Sequence, residues 1–215
     1  MGIYASQLLA HRGCWTNLDF EQVFEKNSFA AIKKAADLGF GLETDIRDFQ
    51  QVLVISHDVA NHSSSVTDLS FVGLFKGPVA LNIKSDGLLK LLEHSNLEAQ
   101  SASKYFFFDM SLPELVQYQR FGYPVAARVS EFEFVTKFET DWIWLDSFNT
   151  DWYLDELPSL ISEHSPKKIV IVSPELHGRD FLTAWDRIAP IVAADPNIFL
   201  CTDYPEAFLA RYSAL

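Results

Sequence analysis

A parallel α/β fold closed into a compact TIM-type (β/α)8 barrel is the architecture predicted by the 215-residue sequence. Three observations predict it. Short apolar runs alternate with amphipathic stretches along the whole chain, with no low-complexity tract and no linker. Runs such as KIVIV at 168–172 are apolar throughout, as strands covered on both faces are. Most strand candidates also end in polar residues, which a barrel gathers at one mouth. A doubly wound open sheet, which would spread those ends apart, is the alternative.

The elements follow in order. Strand candidates are SQLLAHRG (6–13), FGLETDIR (40–47) with QVLVISHD (51–58) as its hairpin return, and PVALNIKS (78–85). After these come KYFFFDM (104–110), PVAARVS (124–130), DWIWLDS (141–147), KKIVIVS (167–173) and NIFLCTD (197–203). Helix candidates lie between most of them, at 28–39, 87–96, 111–122, 151–164 and 178–189, with a last one at 205–215. Ser28 is placed to cap the first helix and the Gly39 region to end it. Ser111 with Glu114 reads as a capping box around Pro113.

Composition sets the outer limits. Hydrophobic residues are 48% of the chain, enough for one substantial core, so residues 1–215 are read as a single domain. No run approaches the ~18 apolar residues of a membrane span. MGIYASQLLAHRG lacks the basic head and long apolar middle of a signal peptide, and the expected location is the cytoplasm. Cys14 and Cys201 are accordingly expected as free thiols, close together if the first and last strands are neighbours. A net charge of -12 argues against a nucleic-acid partner. It does not exclude a small anionic substrate, because a bound cation reverses the field locally.

The stretch ETDIRDFQQVLVISHD (43–58) carries the chemistry. Side chains on a strand repeat every second residue, so Glu43 and Asp45 share a face. Two carboxylates at that spacing repel unless something positive lies between them, and hard oxygen ligands suit Mg²⁺ or Ca²⁺ better than zinc. His11 and His57 titrate near neutral pH and can divide the roles of general base and general acid. Arg12 offers a planar fork of donors and Lys84 a point charge, and both fit a phosphate. A dication, two cationic side chains and two proton carriers at one mouth suit the cleavage of a phosphodiester.

The ordered set HRG (11–13), Asn27-Ser28, ETD (43–45), HD (57–58), Lys84 and TDYP (202–205) resembles the glycerophosphodiester phosphodiesterases, within the phosphatidylinositol-phospholipase-C-like superfamily. The resemblance is ordered over residues 8–85 and thin from there to the last strand. It implies a TIM barrel, a divalent cation and a small phosphodiester substrate. It also implies His11 and His57 as the acid/base pair, Glu43 and Asp45 as metal ligands, and Arg12 and Lys84 on the phosphate. The sequence departs from the family in three ways. Lys26 stands where a glutamate usually precedes Asn27. Asn82 holds the place of the third metal-binding carboxylate, so either its amide oxygen or Asp109 on the next strand completes the ligand set. Only 24 residues separate His57 from Asn82, which leaves no room for the family's large cap insertion.

Two other readings stand beside the hydrolase: a non-catalytic barrel that binds a phosphorylated ligand, and a lyase that forms a cyclic phosphate. Arg128, Asp146, Glu175 and His177 lie at or beyond strand ends and either touch substrate or form a salt-bridge layer. Trp144 shares a face with Asp146 and is a candidate to line the mouth. Asp58 reads as a turn cap, with direct catalysis as the alternative; Arg47 and Asp48 read as solvated hairpin residues, with Arg47 long enough to reach the mouth; and His62, His94 and His164 read as surface residues.

Overall fold

The computed structural model describes residues 2–99, 101–133, 139–165 and 167–214. Eight parallel strands form the barrel: β1 (Leu8–His11), β2 (Gly41–Phe49), β5 (Val79–Ile83), β6 (Tyr105–Phe108), β7 (Ala126–Val129), β8 (Trp142–Leu145), β9 (Lys168–Val172) and β10 (Ile198–Thr202). The last strand returns to the first, with Leu8 opposite Leu200 and Ala10 opposite Thr202. Between β6 and β7 the ladder narrows to one bridge, Phe107 to Val125, supported by the Phe107 N–H donating to the Pro124 carbonyl at 2.9 Å. β3 (Val52–Ile55) folds back antiparallel on β2, and the two-residue β4 (Ser65–Val66) pairs with β3. This hairpin extends the β2 side of the rim and carries His57 beyond β3.

Strand alternation divides the core in two. One set of side chains packs inside the barrel: Leu9, Ala80, Phe106, Phe108, Ala126, Trp142, Trp144, Val170, Val172, Phe199 and Cys201. Facing aromatics from β6 and β8 fill it, Phe106 stacking on Trp142 at 4.4 Å and Phe108 on Trp144 at 4.0 Å. Alternate strands supplying one layer of side chains is the usual way a small barrel fills its centre. The other set, including Leu8, Leu42, Leu81, Phe107, Ile143 and Ile171, faces the helices.

The outer layer is α1 (Phe29–Asp37), α2 (Leu89–Leu92), α3 (Leu112–Arg120), α4 (Tyr153–His164), α5 (Leu182–Ala194) and α6 (Pro205–Tyr212). Ser28 caps α1, its Oγ accepting the Ala31 N–H at 3.2 Å. The expected capping box on α3 does not form: Ser111 makes no side-chain cap bond. Glu114 instead accepts the Gly87 N–H at 2.9 Å and bonds Gln117, because a long carboxylate reaches an orphan donor on the neighbouring loop as well as its own helix end. The helix expected over 87–96 shortens to the single turn of α2 plus a 3-10 turn at Asn96–Ala99.

Cys14 and Cys201 are free and buried, but they are not neighbours in one layer: Cys201 lies inside the barrel and Cys14 in the outer core. Burial pushes the Cys14 thiol up to about 12 and raises that of Cys201 as well, so both are inert. Among the described residues no helix is long and apolar enough to cross a membrane.

One glycine sets the rim beside β1. Gly13 has φ +85°, and a Cβ there would lie 2.6 Å from the Ala31 carbonyl carbon, at the first turn of α1. Gly13→Ala is expected to lower stability by more than about 1 kcal/mol, read as a reduced urea midpoint with an unchanged m-value.

Candidate active site

The polar strand ends converge on a cavity of about 310 Å³ at the C-terminal mouth of the barrel. Its lining includes His11, Arg12, Glu43, His57, Asn82, Lys84 and Asp109 from the sequence reading, together with Arg128, Trp144, Asp146, Phe148 and His177. Asp45 lies just beneath, fully buried and ion-paired with Arg12 and Lys84.

Register explains the convergence. His11 pairs across to Glu43, and Asp45 to Asn82. Glu43 and Asp45 are 1% and 0% exposed, and a buried carboxylate is costly unless it is paired. Asp45 is paired three ways. Arg12 Nε lies 3.0 Å from its Oδ2, Lys84 Nζ 3.3 Å from its Oδ1, and Asn27 Nδ2 donates to Oδ2 at 2.7 Å. Burial pushes this carboxyl up, but the charges of Lys84 and Arg12 and the Asn27 bond outweigh it and leave it below the usual range. Among the described residues Glu43 meets neutral donors at hydrogen-bond distance, the Arg12 N–H at 3.3 Å and Asn82 Nδ2 at 3.2 Å. Burial and the adjacent Asp45 charge therefore raise its carboxyl.

The backbone is bent to reach these partners. Arg12, Asn27 and Asp109 have φ of 59°, 61° and 70°, a left-handed conformation uncommon for residues with a Cβ and often found at functional sites. Arg12 and Asn27 hold each other there, the Asn27 N–H donating to the Arg12 carbonyl at 2.9 Å. Asn27 Oδ1 accepts the Thr44 hydroxyl at 2.8 Å, which orients the amide toward Asp45.

His11 is held by Asp203, its Nδ1 lying 2.6 Å from Oδ1. With the carboxylate as acceptor, Nδ1 carries the proton and donates it in this bond, which leaves Nε2 on the Glu43 side, 3.8 Å from Oε2. Asp203 is itself fixed by Trp15 Nε1 at 3.2 Å and faces Lys26 Nζ at 3.6 Å. Lys26 lies over the Trp15 ring at 4.0 Å. Glu175 accepts the Asp203 N–H at 3.2 Å and the Thr202 hydroxyl, which anchors the backbone at the end of β10. Burial raises the Asp203 carboxyl, and the His11 bond, the charges of His11 and Lys26 and the Trp15 bond more than reverse that.

His57 stands apart on the hairpin rim, 45% exposed, with Nδ1 2.8 Å from Asp58 Oδ1. Asp58 is thus a partner of His57 as well as a turn residue. Arg47 is half-buried, Nη2 donating to the Lys84 carbonyl at 2.7 Å, and Asp48 is exposed, as read from the sequence, and accepts the Ser85 hydroxyl at 2.8 Å. Asp109 forms an ion pair with Arg128. Asp146 accepts from His177 Nε2 at 2.7 Å. His62 and His94 are exposed, as read from their polar surroundings, and His164 is half-buried.

Asn82 Oδ1 is buried and makes no hydrogen bond, its Nδ2 being directed to Glu43. With the Glu43 and Asp45 carboxylates it makes a hard, all-oxygen set that fits Mg²⁺ or Ca²⁺. No group of three or more His, Cys, Asp or Glu side chains among the described residues has metal-holding geometry, so the fit depends on the amide. Asp109 is committed to Arg128 and is the weaker of the two candidates to complete the set.

Sequence reasoning did not single out Asp203 as the partner of His11 or Asn27 as the partner of Asp45. The signal for Asp203 was present, because Phe199, Cys201 and Asp203 repeat at period two on the strand that neighbours β1 in a closed barrel.

No protein-family model and no curated protein matches the chain. Among solved structures it is similar to a glycerophosphodiester phosphodiesterase from Agrobacterium tumefaciens, at 16% identity and TM-score 0.67, covering 95% of this chain and 97% of that one. It is also similar to a glycerophosphodiester phosphodiesterase from Thermotoga maritima, at 16% identity and TM-score 0.47 over 95% and 97% of the two chains. At such identity the first likeness is one of fold, and the fold is the TIM barrel.

The lowered Asp203 carboxyl has a thermodynamic consequence. A folded-state value below the unfolded one contributes stability that is present above the ordinary carboxylate range, about 4, and is lost as pH falls through the folded value. Asp203→Asn is therefore expected to be destabilising at pH 6 and progressively less so toward pH 3, measured as the difference in urea midpoint from the unmodified protein.

Proposed function

We propose that the protein is a phosphodiesterase that hydrolyses glycerophosphodiesters or related small phosphodiesters at this mouth, by acid–base catalysis with the two histidines. The observation that carries the reading is His11, held by Asp203 at 2.6 Å, opening onto the same cavity as Arg12, Lys84 and the buried Glu43. The barrel shared with the Agrobacterium tumefaciens enzyme supports it.

In this reading Arg12 and Lys84 hold the phosphoryl oxygens. Both are tethered by Asp45 at 3.0 and 3.3 Å, so their positions are set before substrate arrives. His11 Nε2 takes the proton of the attacking oxygen while Asp203 stabilises the imidazolium on the other side of the ring. As the bond from phosphorus to the alcohol oxygen breaks, His57 returns a proton to that oxygen from Nε2, its Nδ1 being engaged by Asp58. Glu43, Asp45 and Asn82 would hold Mg²⁺ or Ca²⁺, which when bound offsets charge growing on the phosphoryl oxygens.

A second reading is a barrel that binds a phosphorylated ligand without cleaving it. It is favoured by Asn82, whose amide brings no charge, and by the double pairing of Asp45 with cations. Turnover of bis(p-nitrophenyl) phosphate separates the two. We expect turnover that EDTA abolishes and added Mg²⁺ or Ca²⁺ restores. Binding of phosphate without turnover under any metal would leave only the second reading.

Replacing His11 with Ala is expected to lower kcat/KM by about 10²–10⁴-fold with an unchanged circular-dichroism spectrum. Activity within a few-fold of the unmodified protein would remove His11 from the mechanism. Phosphorus NMR of the product distinguishes hydrolysis from formation of a cyclic phosphate, the lyase alternative.

A further inference from the structure

The end of the barrel opposite the mouth carries a second concave site, which the mechanism above does not use. Strands β5, β6 and β9 begin there, with Lys76 and Lys104 just ahead of the first two and Lys168 opening the third. All three lysines line one open cleft of about 410 Å³, against Trp142 and Phe199 of the barrel interior. Strand parity aims two of them over the barrel axis. Phe106 and Phe108 face the interior, as do Val170 and Val172, so Lys104 and Lys168, two residues before each pair, belong to the same inward-facing series. The Lys104 carbonyl accepts the Val79 N–H at 2.8 Å, which continues the sheet to that residue. Lys168 Nζ lies 4.7 Å from the centroid of the Trp142 ring. β6 and β9 are three strands apart in a ring of eight, and β5 adjoins β6. An occupant on the axis therefore meets Lys76 and Lys104 from one side and Lys168 from the other.

We infer that this cleft binds a small polyvalent phosphate anion, of the class of pyrophosphate or a sugar bisphosphate. The cations there are uncompensated. Lys26, Lys33, Lys34 and Lys84 each pair with a carboxylate. Among the described residues Lys76, Lys104 and Lys168 have no carboxylate partner, and their ammonium groups donate no hydrogen bond. The described residues that line the cleft include no Asp or Glu, although the chain carries a net charge of -12. Glu139 and Asp141 line an adjoining cavity that shares Lys168, and neither forms an ion pair with that lysine. A cleft lined by one sign of charge over low-dielectric walls concentrates the opposite ion. Lysine holds phosphate as a point charge, and Ser6 and Ser103 bring hydroxyls to the same lining. Cations on two sides of an axis call for an anion charged at both ends, since a monoanion answers one side alone. An extended anionic surface fits poorly, because it would have to enter a recess on a chain that is acidic elsewhere. The site is independent of the chemistry at the mouth.

The test is calorimetric titration of inorganic pyrophosphate into the full chain at low ionic strength, with EDTA present to keep divalent metal off the probe and out of the mouth. The unmodified protein is expected to bind, with an affinity that falls as KCl is added. Lys76→Gln and Lys168→Gln are each expected to weaken binding by about 3–10-fold, the scale of one charge contact open to solvent, with unchanged circular-dichroism spectra. Lys76 is exposed and ahead of its strand, so that variant keeps the test decisive if Lys168→Gln folds poorly. Two controls locate the effect. Lys90→Gln removes an exposed lysine on α2, which has no carboxylate partner among the described residues, and Lys84→Gln removes a cation of the mouth. Weakening in the cleft variants that both controls lack supports the site. Absence of binding, equal weakening in Lys90→Gln, or loss in Lys84→Gln with the cleft variants unaffected overturns it. Hexaglutamate tests the occupant: binding of that peptide as tightly as pyrophosphate, with the same dependence on Lys76 and Lys168, overturns a phosphate site in favour of an acidic segment.

Discussion

Burial of two carboxylates two residues apart on β2 is the constraint on which the rest of the mouth depends. Glu43 and Asp45 are all but inaccessible to water, and such a pair persists only if its charge is answered locally. Asp45 is answered by Arg12, Lys84 and Asn27. Glu43 has dipoles for close partners, and its carboxyl is raised in consequence. The two acids thus differ in character although the strand presents them alike. The left-handed backbone at Arg12 and Asn27 follows from the same need, since both residues leave regular structure in order to reach the second carboxylate.

The interior beneath the mouth makes this arrangement rigid. Large aromatics from β6 and β8 occupy the barrel centre, while the strands around β2 contribute Leu9 and Ala80 to it. Close packing below and paired charges above hold the polar groups of the mouth in place, and preorganisation of that kind is where electrostatic catalysis draws most of its effect.

The mouth also repeats one device at two places. At the ends of β8 and β10 a buried aspartate holds a histidine, Asp146 with His177 and Asp203 with His11. Their surroundings set them apart. His11 stands beside Glu43, Arg12 and Lys84, whereas His177 stands beside Phe148, with Arg128 and its carboxylate partners Asp109 and Glu133 beyond the ring.

Local periodicity alone determined much of this. Alternating faces put Glu43 with Asp45, Asn82 with Lys84 and Trp144 with Asp146, and unbroken apolar runs marked strands covered on both sides. Each of these depends only on residues a few positions apart. The partners of those side chains were decided by closure of the barrel. His11 and Asp203 lie 192 residues apart and meet only because β10 lands on β1 with Ala10 opposite Thr202. The same closure put Cys14 and Cys201 in different layers, and Asp109 opposite Arg128. The release of Glu114 from its own helix end to the Gly87 N–H is of the same kind. A pattern of period two states which way a side chain faces, but what it meets there depends on strand order and register, and these are properties of the closed sheet.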